Sequence, residues 1–468
     1  MEKHIHFIGI AGKAMAPLAK MFKDMGWQVT GSDQEAVFPP ITTYLEDNKI
    51  NFTKGYNPKN IKNRPDLVVV GRSSLLVNRE NPEIAKAKEL NCKIISFPEI
   101  VRDFLVKENS IVVAGTYGKT TSSALVSWIL ENGKLNPSFL IGGLPLNFSD
   151  GVKNTDSSYS VVEGDETPAM SETDPSKFMY FKPKFVLLTS AKWDHPEIFK
   201  SEGEYLEAYK NFLELIPSGG LLVACKEGDN LESLARYVKC KVVWYSSDSE
   251  ADFFLKDINF EKDSTECVVS TPKGDLRLRT NLLGKHNLQN LCGAVALCQS
   301  LDIKNEIIQE ATSTFKGVRE RLEDMGTFGG VRVFLDFAQH PVKVKESLAA
   351  LRTRFEKNKI TCVFNPHASA LQKKESLGWY GNAFEKADKV IVTKVNLSGS
   401  KDERVAGPDI VKAVSLSNKN VIYEPVGQKI TKYLASCSEK DDIIVFMSSG
   451  GLQSQELINE TIEGLKRK

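Results

Sequence analysis

Ile111-Val-Val-Ala-Gly-Thr-Tyr-Gly-Lys-Thr-Thr121 is the stretch on which the reading of the whole chain turns. Its apolar, β-branched opening reads as a buried parallel strand. Gly115 and Gly118 bracket a turn, and Lys119-Thr120 lead into Ser122-Ser-Ala-Leu-Val-Ser-Trp-Ile-Leu130, where apolar residues recur at helical spacing. Strand, glycine turn and helix in that order gather backbone N–H groups at a helix N-terminus, beside a lysine and a hydroxyl. A phosphate chain needs those parts: amides to cradle it, a cation for its outer phosphates and a hydroxyl for Mg²⁺. Only Thr116 and Tyr117 separate Gly115 from Gly118-Lys119, so the loop is shorter than the usual P-loop. An ordinary glycine turn is the plain alternative. The order of parts from Gly115 to Thr121 argues for a triphosphate.

At 468 residues the chain exceeds one core and suggests about three domains. We place them at residues 1–107, 108–316 and 317–468. With 61 basic against 60 acidic residues there is no electrostatic footprint for nucleic acid. No apolar run approaches the ~20 residues of a membrane span. The first residues enter a strand without a signal-peptide core, and the eight cysteines form no Cys-x-x-Cys pair. The expected setting is a reducing cytoplasm.

In the first domain, His4-Ile-His-Phe-Ile-Gly-Ile10 reads as a strand and Gly9-Ile-Ala-Gly-Lys-Ala-Met15 as a turn opening a helix. An acid follows roughly twenty residues on, in Gly31-Ser32-Asp33. Gly9, Ala11, Gly12, Ser32 and Asp33 are therefore candidate ligand residues. Ala11 and Ala14 occupy the second and third glycine positions of the dinucleotide fingerprint. That points away from NAD and toward some other diphosphate. Strands at Leu67-Val-Val-Val-Gly71 and Lys93-Ile-Ile-Ser96 extend a parallel sheet.

In the second domain, Tyr159-Ser-Val-Val-Glu163 runs into Gly-Asp-Glu166 at the sheet edge where ligands gather. Glu163, still within the strand, suits Mg²⁺, a hard cation that wants carboxylate oxygen. Glu166 reads as a solvated loop acid. Phe185-Val-Leu-Leu-Thr189 brings Asp194 and His195 to the same edge. Residues 253–283 read as short strands with Pro272-Lys-Gly-Asp275 as a hairpin turn. Asn287 and Asn290, three apart on one helical face, either read a nucleobase edge or serve as N-cap and buried polar residue. The third domain alternates strands and helices again, with Asp336-Phe-Ala-Gln-His-Pro341, Asn365-Pro-His367 and Ser448-Ser-Gly-Gly451 at strand ends.

Taken in order, Gly115-Thr-Tyr-Gly-Lys-Thr120, Glu163-Gly-Asp-Glu166, Asp194-His195, Gly284-Lys-His-Asn287 with Asn290, Arg321-Leu-Glu323 and Asp336-Phe-Ala-Gln-His-Pro341 resemble the landmarks of the Mur ligases of bacterial cell-wall synthesis. The resemblance runs the length of the chain. It implies a three-domain α/β fold: a Rossmann-like UDP-sugar domain, a P-loop ATPase domain carrying a small extra β-sheet, and a Rossmann-like domain for an amino acid or peptide. It implies ATP and Mg²⁺ as cofactors, with Thr120, Glu163 and His195 serving the metal and Lys119, Glu163 and His195 catalysing. Asn287 and Asn290 would face the adenine, and Arg321, Asp336 and His340 would close over the nucleotide. UDP-N-acetylmuramate would lie on Gly9, Ala11, Gly12, Ser32 and Asp33, with the amine donor at His367.

Gly31–Leu45, with Pro39-Pro40, is most similar to family members that attach the tripeptide L-alanyl-γ-D-glutamyl-meso-diaminopimelate in cell-wall recycling. Attachment of L-alanine, or nucleotide binding without ligase activity, are the alternatives. The chain departs from the family pattern at Tyr117, Gln339, His367 and Ser448, and at Ser190-Ala-Lys-Trp193 before Asp194.

Overall fold

The computed structural model describes residues 3–39, 41–366, 374–395, 405–448 and 452–468. They form two compact units. The first comprises Met1–Asn259, Thr265–Asn281 and Asn287–Gly317; the second comprises Phe260–Ser264, Leu282–His286 and Val318–Lys468.

The first unit holds two sheets. A five-stranded parallel sheet runs in the order Thr53–Lys54, Gln28–Asp33, His4–Ile8, Leu67–Val70, Lys93–Ser96. His4–Ile8 lies at its centre and is buried throughout, as a strand covered on both faces must be. Its two histidines are absorbed by polar partners: His4 Nε2 and His6 Nδ1 each lie 2.8 Å from Thr30 Oγ1. His6 Nε2 is 3.3 Å from Glu83 Oε2, and Glu83 is fully buried. The Glu83 carboxylate also accepts from Ser32 Oγ at 2.5 Å, Asn60 Nδ2 at 2.6 Å and the Asn57 amide at 3.0 Å. Burial alone would raise this acid's pKa. The bonds from His6, Ser32, Asn60 and Asn57 outweigh it and hold the group below its ordinary value.

The larger sheet has ten strands. Their order is Gly274–Thr280, Thr265–Thr271, Phe253–Phe260, Lys241–Ser246, Leu221–Cys225, Phe185–Leu188, Asn109–Ala114, Tyr159–Glu163, Ser138–Leu140, Val152–Lys153. The strands expected to make a small separate sheet are instead its end. Tyr245 and Ser246 pair with Phe253 and Phe254, so the ladder passes straight into them. The hairpin at that end, Thr265 opposite Thr280 to Thr271 opposite Gly274, is antiparallel. The two sheets are tied where Asp150 accepts from Tyr44 Oη and pairs with Lys20 at 3.2 Å.

The second unit is built on a six-stranded sheet in the order Glu323–Phe328, Val331–Asp336, Ile443–Met447, Ile360–Phe364, Lys389–Val392, Val421–Tyr423. The first pair is antiparallel and the others parallel. Successive residues of one strand feed opposite cores. Phe334 and Cys362 pack with Val344 and Leu351 of helix Pro341–Arg354, and Val333 and Val363 pack with Ile430 of Gly427–Cys437 and Leu465 of Leu452–Lys466. Each fully buried aliphatic side chain there is worth about 1.5–3 kcal/mol. Among the described residues, no helix is long and apolar enough to cross a membrane.

Candidate active site

Asn109–Ala114 ends at Gly115, and helix Lys119–Asn132 begins behind Gly118. Gly115 has φ +129°, and a Cβ there would collide with Thr189 Oγ1 and the Ser190 backbone. Two neighbouring strand ends thus pass too close for any side chain. Gly118 has φ +79°, and a Cβ there would strike the Asn290 carboxamide. Thr189 Oγ1 donates to the Tyr117 carbonyl at 2.5 Å, Thr116 N donates to Ser190 O at 3.0 Å, and Thr116 Oγ1 donates to Lys192 O at 2.7 Å. The loop from Gly115 to Thr121 is therefore stitched to the strand Phe185–Leu188 and the segment following it. Gly115→Ala is expected to strain the loop by about 1–3 kcal/mol and lower ATP-dependent turnover ~10²-fold. Gly219, with nothing within 4 Å of its Cβ position, should tolerate alanine. Equal phosphate release by both variants would refute the steric argument.

Lys119 Nζ donates to Gly115 O at 2.6 Å and lies 2.9 Å from Glu166 Oε2. Burial would depress the lysine's pKa, but the Glu166 carboxylate, with Asp165 and Glu163 beyond it, outweighs burial and holds it above its ordinary value. Here the structure corrects the sequence reading. Glu166 is 1% exposed and is the partner of the loop lysine, not a solvated acid. Its neighbour Asp165 pairs with Lys177 Nζ at 2.6 Å, which overcomes the effect of burial and keeps that carboxyl well below the usual range.

Thr120 Oγ1 donates to Glu163 Oε1 at 3.0 Å, and the Gly142 amide holds the other oxygen at 2.7 Å. A hydroxyl and a carboxylate thus meet at the first turn of the helix. Among the described residues no group of three or more His, Cys, Asp or Glu side chains makes a cage for a metal. Mg²⁺ on a phosphate chain needs none, since one or two carboxylates with phosphate oxygens and water satisfy it. The Thr120–Glu163 donor set fits that ion.

His195 stands farther off. It has φ +58°, its Nδ1 lies 2.9 Å from Glu197 Oε1, and its Nε2 is 4.0 Å from Glu166 Oε1. A left-handed histidine in the loop after Phe185–Leu188 is a sparsely populated conformation, the kind that sites retain. Lys192, which by sequence places a cation near the metal residues, has an exposed side chain and contributes its carbonyl to Thr116. Asn287 and Asn290 are both buried, with Asn290 Nδ2 donating to Asn287 Oδ1 at 3.3 Å. Asn290 backs the glycine loop at Gly118.

At the N-terminal turn, Gly9 N and Ile10 N donate to Ser32 O at 2.8 and 3.0 Å. Ala11 N donates to Asp33 Oδ2 at 2.7 Å, and Gly12 N donates to Gly9 O at 3.3 Å. Asp33 Oδ1 accepts from Gln34 N at 2.8 Å and Tyr56 Oη at 3.4 Å. The Ser32 carbonyl and the Asp33 carboxylate, both on candidate ligand residues, thus shape the turn. Sequence reading missed Glu83 and the lysine partner Glu166; each is an acid whose burial only the packed fold reveals.

In the second unit, Asp336 is buried, accepting from Leu322 N at 3.1 Å and from Ser347 Oγ. Burial raises its pKa against those bonds. It fixes the turn that carries Arg321, whose guanidinium lies 4.8 Å from the Phe337 ring centroid. His340 caps helix Pro341–Arg354, its Nδ1 accepting from Val342 N at 3.3 Å, and its ring lies 5.3 Å from that of Trp379. His367 lies outside the described residues.

Three family models match the chain in sequence: Mur ligase family, catalytic domain, over residues 4–108; Mur ligase middle domain over 113–298; and Mur ligase, glutamate ligase domain, over 320–450. The chain belongs to the Mur ligase family, whose members are ATP-dependent ligases that form amide bonds, and it is an enzyme of that class. It is 30% identical over 449 residues to the UDP-N-acetylmuramate–L-alanine ligase of Caldicellulosiruptor saccharolyticus, covering 95% of each chain. Its fold is similar to that of the UDP-N-acetylmuramate-alanine ligase MurC of Thermotoga maritima, at a TM-score of 0.79 and 24% identity over 99% of this chain and 98% of that one. It is also similar in fold to a murein peptide ligase from Psychrobacter arcticus, at 0.70 and 23% over 100% and 99%.

Proposed function

We propose that this chain joins the lactyl carboxylate of UDP-N-acetylmuramate to the amine of L-alanine at the expense of ATP. The reading is carried by one observation: the Lys119–Glu166 and Thr120–Glu163 pairs at one helix N-terminus, within a chain that matches L-alanine-adding ligases over almost its full length. The tripeptide donor expected from Gly31–Leu45 gives way to L-alanine, because whole-length similarity outweighs one segment.

In this scheme the amides of Gly115–Thr121 and the Lys119 ammonium hold the β- and γ-phosphates. A carboxylate oxygen of UDP-N-acetylmuramate attacks the γ-phosphorus, the bond to the bridging oxygen breaks, and ADP leaves. The amine nitrogen then attacks the acyl carbon, loses a proton and expels phosphate. Positioning and charge neutralisation account for most of such a transfer. Thr120 and Glu163, with His195 as a further candidate ligand, would hold Mg²⁺, which would supply part of that neutralisation. Asn287 and Asn290 brace the loop beside the nucleotide, and Arg321, Asp336, His340 and His367 are proposed as ligand contacts of the third domain.

The test is phosphate release from ATP in the presence of UDP-N-acetylmuramate, with L-alanine and the tripeptide offered separately. L-Alanine alone should support turnover. Release with the tripeptide and not with L-alanine would restore the recycling assignment, and silence with both would leave a nucleotide-binding homologue.

A further inference from the structure

The turn after Leu67–Val70 sits beside the turn after His4–Ile8. The two strands are parallel neighbours with Ile8 opposite Val70, and the Gly71 amide donates to Ile8 O at 2.9 Å. A Cβ on Gly9 would lie 3.5 Å from Ser74 Cβ and 3.6 Å from Ser73 Oγ. Both turns therefore leave the carboxyl edge of the sheet, where a doubly wound fold takes its ligand.

Arg72 is the first residue of helix Arg72–Val77, directly after the Gly71 that makes the second of these turns. Among the described residues its guanidinium has no hydrogen-bond or ion-pair partner, and its Nε is buried without an acceptor. A guanidinium stays charged at all working pH values, so a buried donor on it calls for an anion. The nearby acids do not supply one. Asp33 is engaged by Ala11 N, Gln34 N and Tyr56 Oη, and Glu83 by Ser32, His6, Asn57 and Asn60.

We propose that Arg72 binds the diphosphate of the nucleotide-sugar substrate across from the Gly9–Gly12 turn. The assignment rests on the reading of residues 1–107 as the UDP-sugar domain. The planar fork of arginine matches paired phosphate oxygens, and a lysine would offer only a point charge. Asp33 then serves the same ligand indirectly, by shaping the amide-bearing turn opposite.

Calorimetric titration of the full chain with uridine, UMP and UDP tests this. Arg72→Met should weaken UDP binding about 10- to 100-fold and leave uridine unchanged, with Arg72→Lys between. In turnover, KM for UDP-N-acetylmuramate should rise while kcat and KM for ATP hold. The Tm of ligand-free Arg72→Met should not fall, because no protein partner is lost; a fall would mark a structural residue and overturn the proposal. Equal losses for uridine and UDP, or none, would overturn it too. Wild-type chain that binds neither UDP nor UDP-N-acetylmuramate would instead remove the underlying domain reading.

Discussion

Replacing Lys119 with alanine is expected to lower ATP-dependent phosphate release by about 10³-fold or more, the scale at which a cation on the transferring phosphoryl group acts. The ammonium lies at the head of helix Lys119–Asn132, pinned by the Gly115 carbonyl at 2.6 Å. In the proposed mechanism this cation neutralises the charge that develops on the transferring phosphoryl group. The substitution also leaves Glu166 buried and stripped of its cation. Breaking such a pair costs about 3–5 kcal/mol, and a loss of activity could then reflect a disordered loop. Lys119→Ala combined with Glu166→Gln removes that ambiguity, since it deletes the stranded charge. The double variant should keep the wild-type unfolding midpoint and remain inactive. Near-normal turnover in either variant would withdraw the triphosphate assignment.

The second large effect is on stability. Glu83→Leu leaves Ser32 Oγ, His6 Nε2, Asn60 Nδ2 and the Asn57 amide without their shared acceptor. A loss of about 3–5 kcal/mol is expected in the N-terminal sheet. Hydrogen exchange of the full chain reads it locally, through amide protection in His4–Ile8 and Gln28–Asp33. The sign of the pH dependence follows from the direction of the shift. Glu83's pKa is lower folded than unfolded, so its contribution is complete above the ordinary value of 4.5 and is lost as pH falls through the folded value. Wild-type protection should therefore decline in acid more steeply than that of Glu83→Leu. Parallel pH profiles would show that the carboxylate is not the titrating element.

The fold was legible because many of the parallel strands announce themselves as continuous apolar runs. Ile111–Ala114, Leu67–Val70 and Ile443–Met447 are of this kind, and the described strands begin or end within a few residues of the expected places. The end of the large sheet was less legible, since short strands at Phe253–Thr280 carry no signal that says which neighbour they pair with. Pairing is a tertiary choice, made here by Tyr245 and Ser246. The loop residues Gly115, Gly118, Lys119 and Thr120 and the acid Glu163 could be read from order alone. Glu166 could not, because the distinction between a solvated and a buried acid lies in what folds over it. Asp33 and Asp336 show the converse. Both stand where a ligand contact is expected; Asp33 gives both oxygens to backbone amides, and Asp336 gives one to the Leu322 amide and the other to the Ser347 hydroxyl.

The contact between Gly118 and the Asn290 carboxamide bears on how relatives of this chain can be recombined. The loop Gly115–Thr121 and helix Lys285–Ser300 are distant in sequence but share one steric boundary. A loop borrowed from another ligase with any side chain at position 118 arrives with a demand for a smaller residue at 290. Swaps whose crossover points fall between these two segments should fail more often than swaps that carry both together, whatever the overall identity of the parents.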